Sequence, residues 1–180
     1  LFALTRFMSA RADNRSFTAL NQVMAKYEAG KAGKSDVDRL NAIKTDFNDF
    51  LNQFGKKGAG RIGRMIFAGI SQEGGDLDTA ANLYTQALKD FEGNPFYLNL
   101  IRTSLGQVYA AKNDAAQSAA QLEAAVSKTA SPLADTALFD LALQAEAEGQ
   151  KEKALSYFKR ISEEFPDSMF KEIVKERITG

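Results

Sequence analysis

The sequence predicts an all-α protein: about four antiparallel helix pairs in succession, closed by a C-terminal capping helix. Three observations predict it. Apolar residues return every three to four positions along nearly the whole chain, the spacing that keeps one helix face apolar. No run alternates β-branched and polar residues as a half-buried strand does. Turn residues recur at one offset, as Gly75-Asp76-Leu77, Asn113-Asp114-Ala115 and Gly149-Gln150-Lys151.

Taken in order, the helices are predicted at 3–29, 35–54, 60–73, 77–91, 96–111, 115–128, 133–148, 151–164 and 168–178. They pair as 3–54, 60–91, 96–128 and 133–164, with 168–178 as the cap, in a single domain spanning 1–180. Each of the three prolines marks a boundary. Asn94-Pro95 and Ser131-Pro132 set a capping side chain before a proline at the first helical position. Phe165-Pro166-Asp167-Ser168 stops one helix and caps the next. The stripe Leu83, Tyr84, Ala87, Leu88, Phe91 and the stripe Leu138, Leu141, Ala142, Ala145 are typical core faces. Phe47, Phe50 and Phe54 read as core of the first pair, and Phe96 and Tyr97 as packing at a helix entrance. Links of two to six residues require antiparallel neighbours.

With 180 residues, 44 % hydrophobic and 26 % charged, the chain has enough apolar surface for a core. It contains no Cys, His or Trp. That removes thiol and imidazole nucleophiles, histidine bases, thiolate zinc sites and disulfides. No cofactor or metal site is expected. Lys plus Arg equals Asp plus Glu at 23 each, which argues against a strongly basic nucleic-acid binder. Residues 1–66 hold 12 basic and 6 acidic residues, while 67–180 hold 11 and 17. The basic half suits a solvated face, a membrane surface or an acidic partner. No apolar run is long enough to span a membrane. The chain starts at Leu1-Phe2-Ala3-Leu4, followed by Arg6 and Arg11. That edge fits a removed signal or anchor upstream, and equally an arbitrary boundary.

The repeat is the strongest signal. Ala80, Tyr84, Ala87-Leu88 align with Ser118, Leu122, Ala125-Val126 and with Ala154, Phe158, Ile161-Ser162. The first positions lie 38 and 36 residues apart, and Ile43, Phe47, Phe50-Leu51 make a weaker copy 37 residues before Ala80. Leu105-Gly106-x-x-Tyr109 and Leu141-Ala142-x-x-Ala145 occupy the first helix of two pairs. A small residue at 106 or 142 admits the partner helix, whose small residue is 118 or 154. The large residue four positions later fills the space against the next pair, because a lone pair cannot bury its apolar face.

This pattern resembles the tetratricopeptide repeat (TPR) family, helix–turn–helix units of about 34 residues. Leu105, Gly106, Tyr109, Leu122 and Ala125 match its signature in one unit, and Leu141, Ala142, Ala154, Phe158 and Pro166 in another. The resemblance covers 60–166 well and 10–55 loosely. The longer period, the unused tryptophan position, Ser118 in place of alanine and an insertion near Gly30–Lys34 depart from it. The layout is also similar to the ancillary SecYEG-translocon subunit family, which has a membrane anchor followed by a periplasmic TPR-like domain. That resemblance implies a bacterial-envelope protein tethered by an anchor absent from this chain, assisting translocation, folding or complex assembly.

In TPR-like arrays the first helix of each pair lines a concave wall. Register places Met65, Gln72, Thr103, Gln107, Phe139, Leu143 and Glu146 there, as a groove for a protein or peptide partner. Lys56, Lys57, Arg61 and Arg64 form the densest basic cluster, able to meet a phosphate, an acidic lipid or an acidic segment. No aromatic residues interleave with it, so no nucleic acid is expected. Gly58-Ala59-Gly60-Arg61-Ile62-Gly63 has the G-x-G-x-x-G spacing of a dinucleotide cradle, with Asp78 twenty residues on. It lacks the preceding strand, so it reads as a flexible link whose Gly63, with Gly69, permits close helix contact. Asp76-x-Asp78 reads as helix capping. The leading function is a non-catalytic interaction scaffold. Two alternatives stay open: a nucleotide-dependent enzyme using 58–63, and an adaptor domain of a larger cytoplasmic protein.

Overall fold

The structure, a computed structural model, describes residues 2–30, 32–56, 58–127 and 133–179, with side chains from residue 13 onward. Among these residues there is no strand. The helices are α1 (Phe2–Ala29), α2 (Asp36–Phe54), α3 (Gly58–Glu73), α4 (Leu77–Asp90), α5 (Pro95–Ala111), α6 (Ala115–Ala125), α7 (Ala134–Ala147), α8 (Lys151–Glu164) and α9 (Lys171–Thr179). The chain forms two compact units, Leu1–Asp90 and Phe91–Gly180.

In the first unit α1 packs on α2 and α3, α2 on α3, and α3 on α4. Leu20, Val23 and Tyr27 of α1 and Leu40, Ile43, Phe47 and Phe50 of α2 are buried in its core. Phe47 stacks on Phe67 of α3 at 4.6 Å, with planes 4° apart. Ser35 starts α2 by accepting a hydrogen bond from Asp38 N. Asp76 starts α4 by accepting one from Thr79 N at 3.2 Å, as the capping reading expects. Lys44 of α2 reaches the same carboxylate at 2.6 Å.

The glycine-rich segment is not a flexible link. It forms the opening turns of α3, two residues earlier than predicted. Gly60 and Gly63 are buried. A Cβ at Gly60 would strike the Phe54 carbonyl, and one at Gly63 would strike the Phe50 ring. These glycines let α3 start directly against the end of α2, which a side chain would forbid. Gly69 plays no such part, since a Cβ there meets Tyr84 Oη at an ordinary 3.5 Å.

In the second unit α5 packs on α6, α6 on α7, α7 on α8, α8 on α9, and α5 also touches α7. Asn94 caps α5, accepting from Phe96 N at 3.1 Å and Tyr97 N at 3.4 Å. Tyr97 then packs on Phe91 with ring centroids 4.6 Å apart, and Phe96, though exposed, meets Tyr97 edge-on at 5.4 Å. Gly106 of α5 sits directly on α6: an added Cβ would lie 2.6 Å from Leu122 Cγ. Leu138, Leu141 and Ala142 of α7, Ala154, Phe158 and Ile161 of α8, and Val174 of α9 continue one core.

Two helices differ in extent from the prediction. α6 ends at Ala125, not 128. Arg102 Nη1 donates to the Ala124 carbonyl at 3.3 Å, and Arg160 Nη2 to that of Val126 at 3.4 Å. Those guanidiniums satisfy carbonyls at the helix end. α9 begins at Lys171, not 168. The Ser168 hydroxyl donates to Asp135 at 2.7 Å, and Phe170 stacks on Phe139 at 4.2 Å, so the intervening residues are held as a turn. The Ser131-Pro132 boundary lies outside the described residues.

The repeat register is visible in the backbone. Gly75, Asn113 and Gly149 all have positive φ, at 79°, 59° and 73°. After each, the next N–H reaches back five residues: Asp76 to Ser71, Asp114 to Tyr109 and Gln150 to Ala145, at 2.8–2.9 Å. This is one C-terminal turn used three times, and it explains why glycine or asparagine recurs there.

Candidate functional site: a cleft beside α5, α6 and α7

The second unit holds a cleft of about 570 Å³ lined by Gln107 and Ala110 of α5, Asn113, Ala115, Ser118 and Leu122 from the turn and α6, and Asp140, Leu143 and Gln144 of α7. It follows from the repeat geometry. Gly106 draws α6 against α5, which leaves the next positions, Gln107 and Ala110, facing the α7 hairpin.

Its walls are mostly apolar, from Ala110, Ala115, Leu122 and Leu143. Leu143 is 40 % exposed. The polar residues of the lining are Gln107, Asn113, Ser118, Asp140 and Gln144. Gln107 Nε2 donates to Asp140 Oδ2 at 2.8 Å, joining α5 to α7. Burial pushes the Asp140 carboxyl above its usual range, and the Gln107 hydrogen bond only opposes this. Gln144 is committed to the Ala115 carbonyl at 2.7 Å. Ser118 is 1 % exposed, and its hydroxyl has no hydrogen-bond partner.

Of the residues assigned to a wall, Gln107 and Leu143 meet in this cleft. Thr103 is buried inside the α5 packing, where its hydroxyl donates to the Asn99 carbonyl at 2.9 Å. Phe139 is covered by Phe170. Glu146 pairs with Arg177 of α9 at 3.0 Å. Met65 and Gln72 lie half-buried on α3 in the first unit, and Gln72 Oε1 accepts from Tyr84 Oη at 3.5 Å. Asp140 and Ser118 were missed. Asp140 is a lone acid within the apolar stretch Ala137–Ala142, and Ser118 is the one polar residue at a position that is alanine in the flanking copies.

The basic cluster is divided. Arg64 turns inward and forms an ion pair with Asp90, its side chain 12 % exposed and the aspartate 21 %. Its Nη2 also donates to the Gly55 carbonyl at 3.2 Å. Burial, then the neighbouring Arg61, shift its pKa down. Arg64 therefore ties α3 to α4 and to the end of α2 and is not offered to a ligand. Lys56 and Arg61 are exposed, and Lys57 lies outside the described residues. The 58–63 segment has a helix on either side and its second and third glycines buried, so it is not the open turn after a strand that a dinucleotide cradle needs. Among the described residues no group of three or more acidic side chains is placed to hold a metal. No helix of the described residues is long and apolar enough to cross a membrane.

The tetratricopeptide repeat family model matches residues 136–168. No curated protein matches the chain. The matched stretch is α7, α8 and the turn at Pro166, one wall of the cleft and the core behind it. That stretch is similar to a tetratricopeptide repeat, and the fold around it is all-α and TPR-like.

Proposed function

We propose that this chain is a non-catalytic scaffold that holds a segment of another protein, with the cleft of the second unit as its contact surface. The observation that carries the reading is the cleft itself: a mainly apolar surface with a partly buried acid and an exposed leucine, set where two TPR-like hairpins meet. Such a lining suits an inserted side chain or a short helix, and tetratricopeptide repeats generally mediate protein–protein contact. The shared turn at 75, 113 and 149 supports reading both units as built from the same repeat.

The finer reading is an envelope protein, tethered and periplasmic, that assists translocation, folding or complex assembly. It rests on the similarity of layout to the ancillary translocon subunits. Fractionation of the full-length gene product checks it; recovery in the cytoplasm alone would reject it.

The test of the scaffold is Leu143→Lys, compared with the native protein for capture of partners from native cells. Leu143 is 40 % exposed, and a circular dichroism spectrum matching that of the native protein checks that the variant folds. Loss of capture is expected, because the new side chain removes the leucine wall and sets its own ammonium in the cleft beside Asp140. Undiminished capture discards the cleft as the contact surface.

A further inference from the structure

We propose that the cleft takes a lysine side chain of the partner segment, its ammonium against Asp140 and its aliphatic stem along Leu122 and Leu143. This rests on reading the cleft as the contact surface and goes further by naming the chemistry it selects.

Three observations carry it. Asp140 lies at the cleft without a cation: among the described residues its polar partner is the neutral Gln107 amide, and none of the ion pairs includes it. One of its oxygens accepts that amide and the other is left for a donor. Second, Ser118 on the cleft wall is 1 % exposed and its hydroxyl has no hydrogen-bond partner, so the protein itself leaves a polar group of this wall unsatisfied. Third, Ala110, Ala115, Leu122 and Leu143 supply an aliphatic face beside Asp140, while Gln144 is already committed to the Ala115 carbonyl. A long side chain with an apolar stem and a charged, multiply donating head complements that arrangement, as lysine does. The unit as a whole agrees in sign, with 10 Lys and Arg against 13 Asp and Glu over residues 91–180.

The test uses the full chain and two acetylated, amidated pentapeptides, Ala-Ala-Lys-Ala-Ala and the same peptide with norleucine at the centre. Norleucine keeps the stem and removes the charge. Titrations are followed by NMR at the Gln107 side-chain amide and the Leu143 methyls. The lysine peptide should bind about fivefold tighter, a difference that salt erases. Asp140→Asn should bring the two peptides level while leaving the norleucine peptide unchanged. Equal binding in the native protein, failure of the lysine peptide to titrate these resonances up to about 10 mM, or an undiminished lysine preference in Asp140→Asn would overturn the proposal. The native-protein comparison decides the matter even if the variant fails to fold. Photo-crosslinking from position 143 in native cells separates the two readings. Crosslinked partners with no lysine preference reject the lysine pocket alone. A lysine preference with no crosslinked partner rejects the scaffold reading. A crosslinked second copy of this chain also rejects the lysine pocket, unless one of its lysines is the linked site.

Discussion

Gly106→Ala tests the close approach on which the second unit is built. A methyl group at position 106 would sit 2.6 Å from Leu122 Cγ, 2.8 Å from Leu122 Cδ2 and 3.3 Å from the Ser118 carbonyl. Leu122 is 1 % exposed and cannot swing into solvent. It must shift by most of an ångström within a packed core, or α5 and α6 must separate. Overpacking of that kind costs about 1–3 kcal/mol. Replacing a mid-helix glycine by alanine returns about 1 kcal/mol of helix propensity. The net expectation is a loss of about 1 kcal/mol. Leu122→Ala alone should cost about 2–5 kcal/mol through its cavity. The double variant should be better than the sum, because the new methyl partly fills that cavity; a coupling of about 1 kcal/mol is expected. Urea unfolding followed by far-ultraviolet circular dichroism gives each free energy, with unchanged m-values as the check. A coupling below about 0.3 kcal/mol, or a Gly106→Ala protein more stable by about 1 kcal/mol, would refute the contact. Because Leu122 lines the cleft, the single variant should also weaken whatever the cleft binds.

Gly60→Ala should destabilise the first unit by at least about 3 kcal/mol, since the obstructing atoms are backbone. Gly58→Ala, with nothing within 4 Å, should be neutral in the same denaturation assay. Asp90→Ala leaves the half-buried Arg64 guanidinium without its ion-pair partner and should cost about 1–3 kcal/mol, read as a lower urea midpoint. Two aspartates should respond oppositely to acid. The Lys44 hydrogen bond, with Thr79, holds the Asp76 carboxyl below its ordinary value. Its stabilisation is therefore present above the unfolded carboxylate value, about 3.9, and is lost as pH falls through the depressed folded value. Asp76→Asn should lower the melting temperature at pH 7, and the gap should close in acid. Asp140 is shifted the other way by burial. Its charge costs stability above the raised folded value, and that cost fades as pH falls through it. Asp140→Asn should match or exceed the native melting temperature at pH 7 and lose any advantage below about pH 4. Opposite signs in the thermal scans would show that these environments are misread.

Some of the architecture is written locally and some is not. The turns at Gly75, Asn113 and Gly149 are legible because a positive φ selects glycine or asparagine at each place. The cap at Asn94 is equally local, a side chain meeting free N–H groups two and three residues on. The ends of α6 and α9 were not legible in this way. Each is set by a side chain far along the chain: Arg160 at Val126, and Asp135 at Ser168.

The sequence by itself determined helix type, order, pairing and repeat period, because these depend on spacing and on backbone preference at single residues. It also excluded cysteine and histidine chemistry outright, by composition. Only the tertiary structure decided which positions are surface and which are buried within a helix face. Register assigned Thr103, Phe139 and Glu146 to an open wall, whereas packing buried the first, α9 and its approach covered the second, and Arg177 occupied the third. It likewise turned Arg64 inward to Asp90 and fitted the 58–63 glycines against Phe54 and Phe50. Gln107, Ser118 and Asp140 come together although they span more than thirty residues. Helical periodicity places a residue on a face, but what that face meets depends on the neighbouring hairpin, and only the folded packing supplies it.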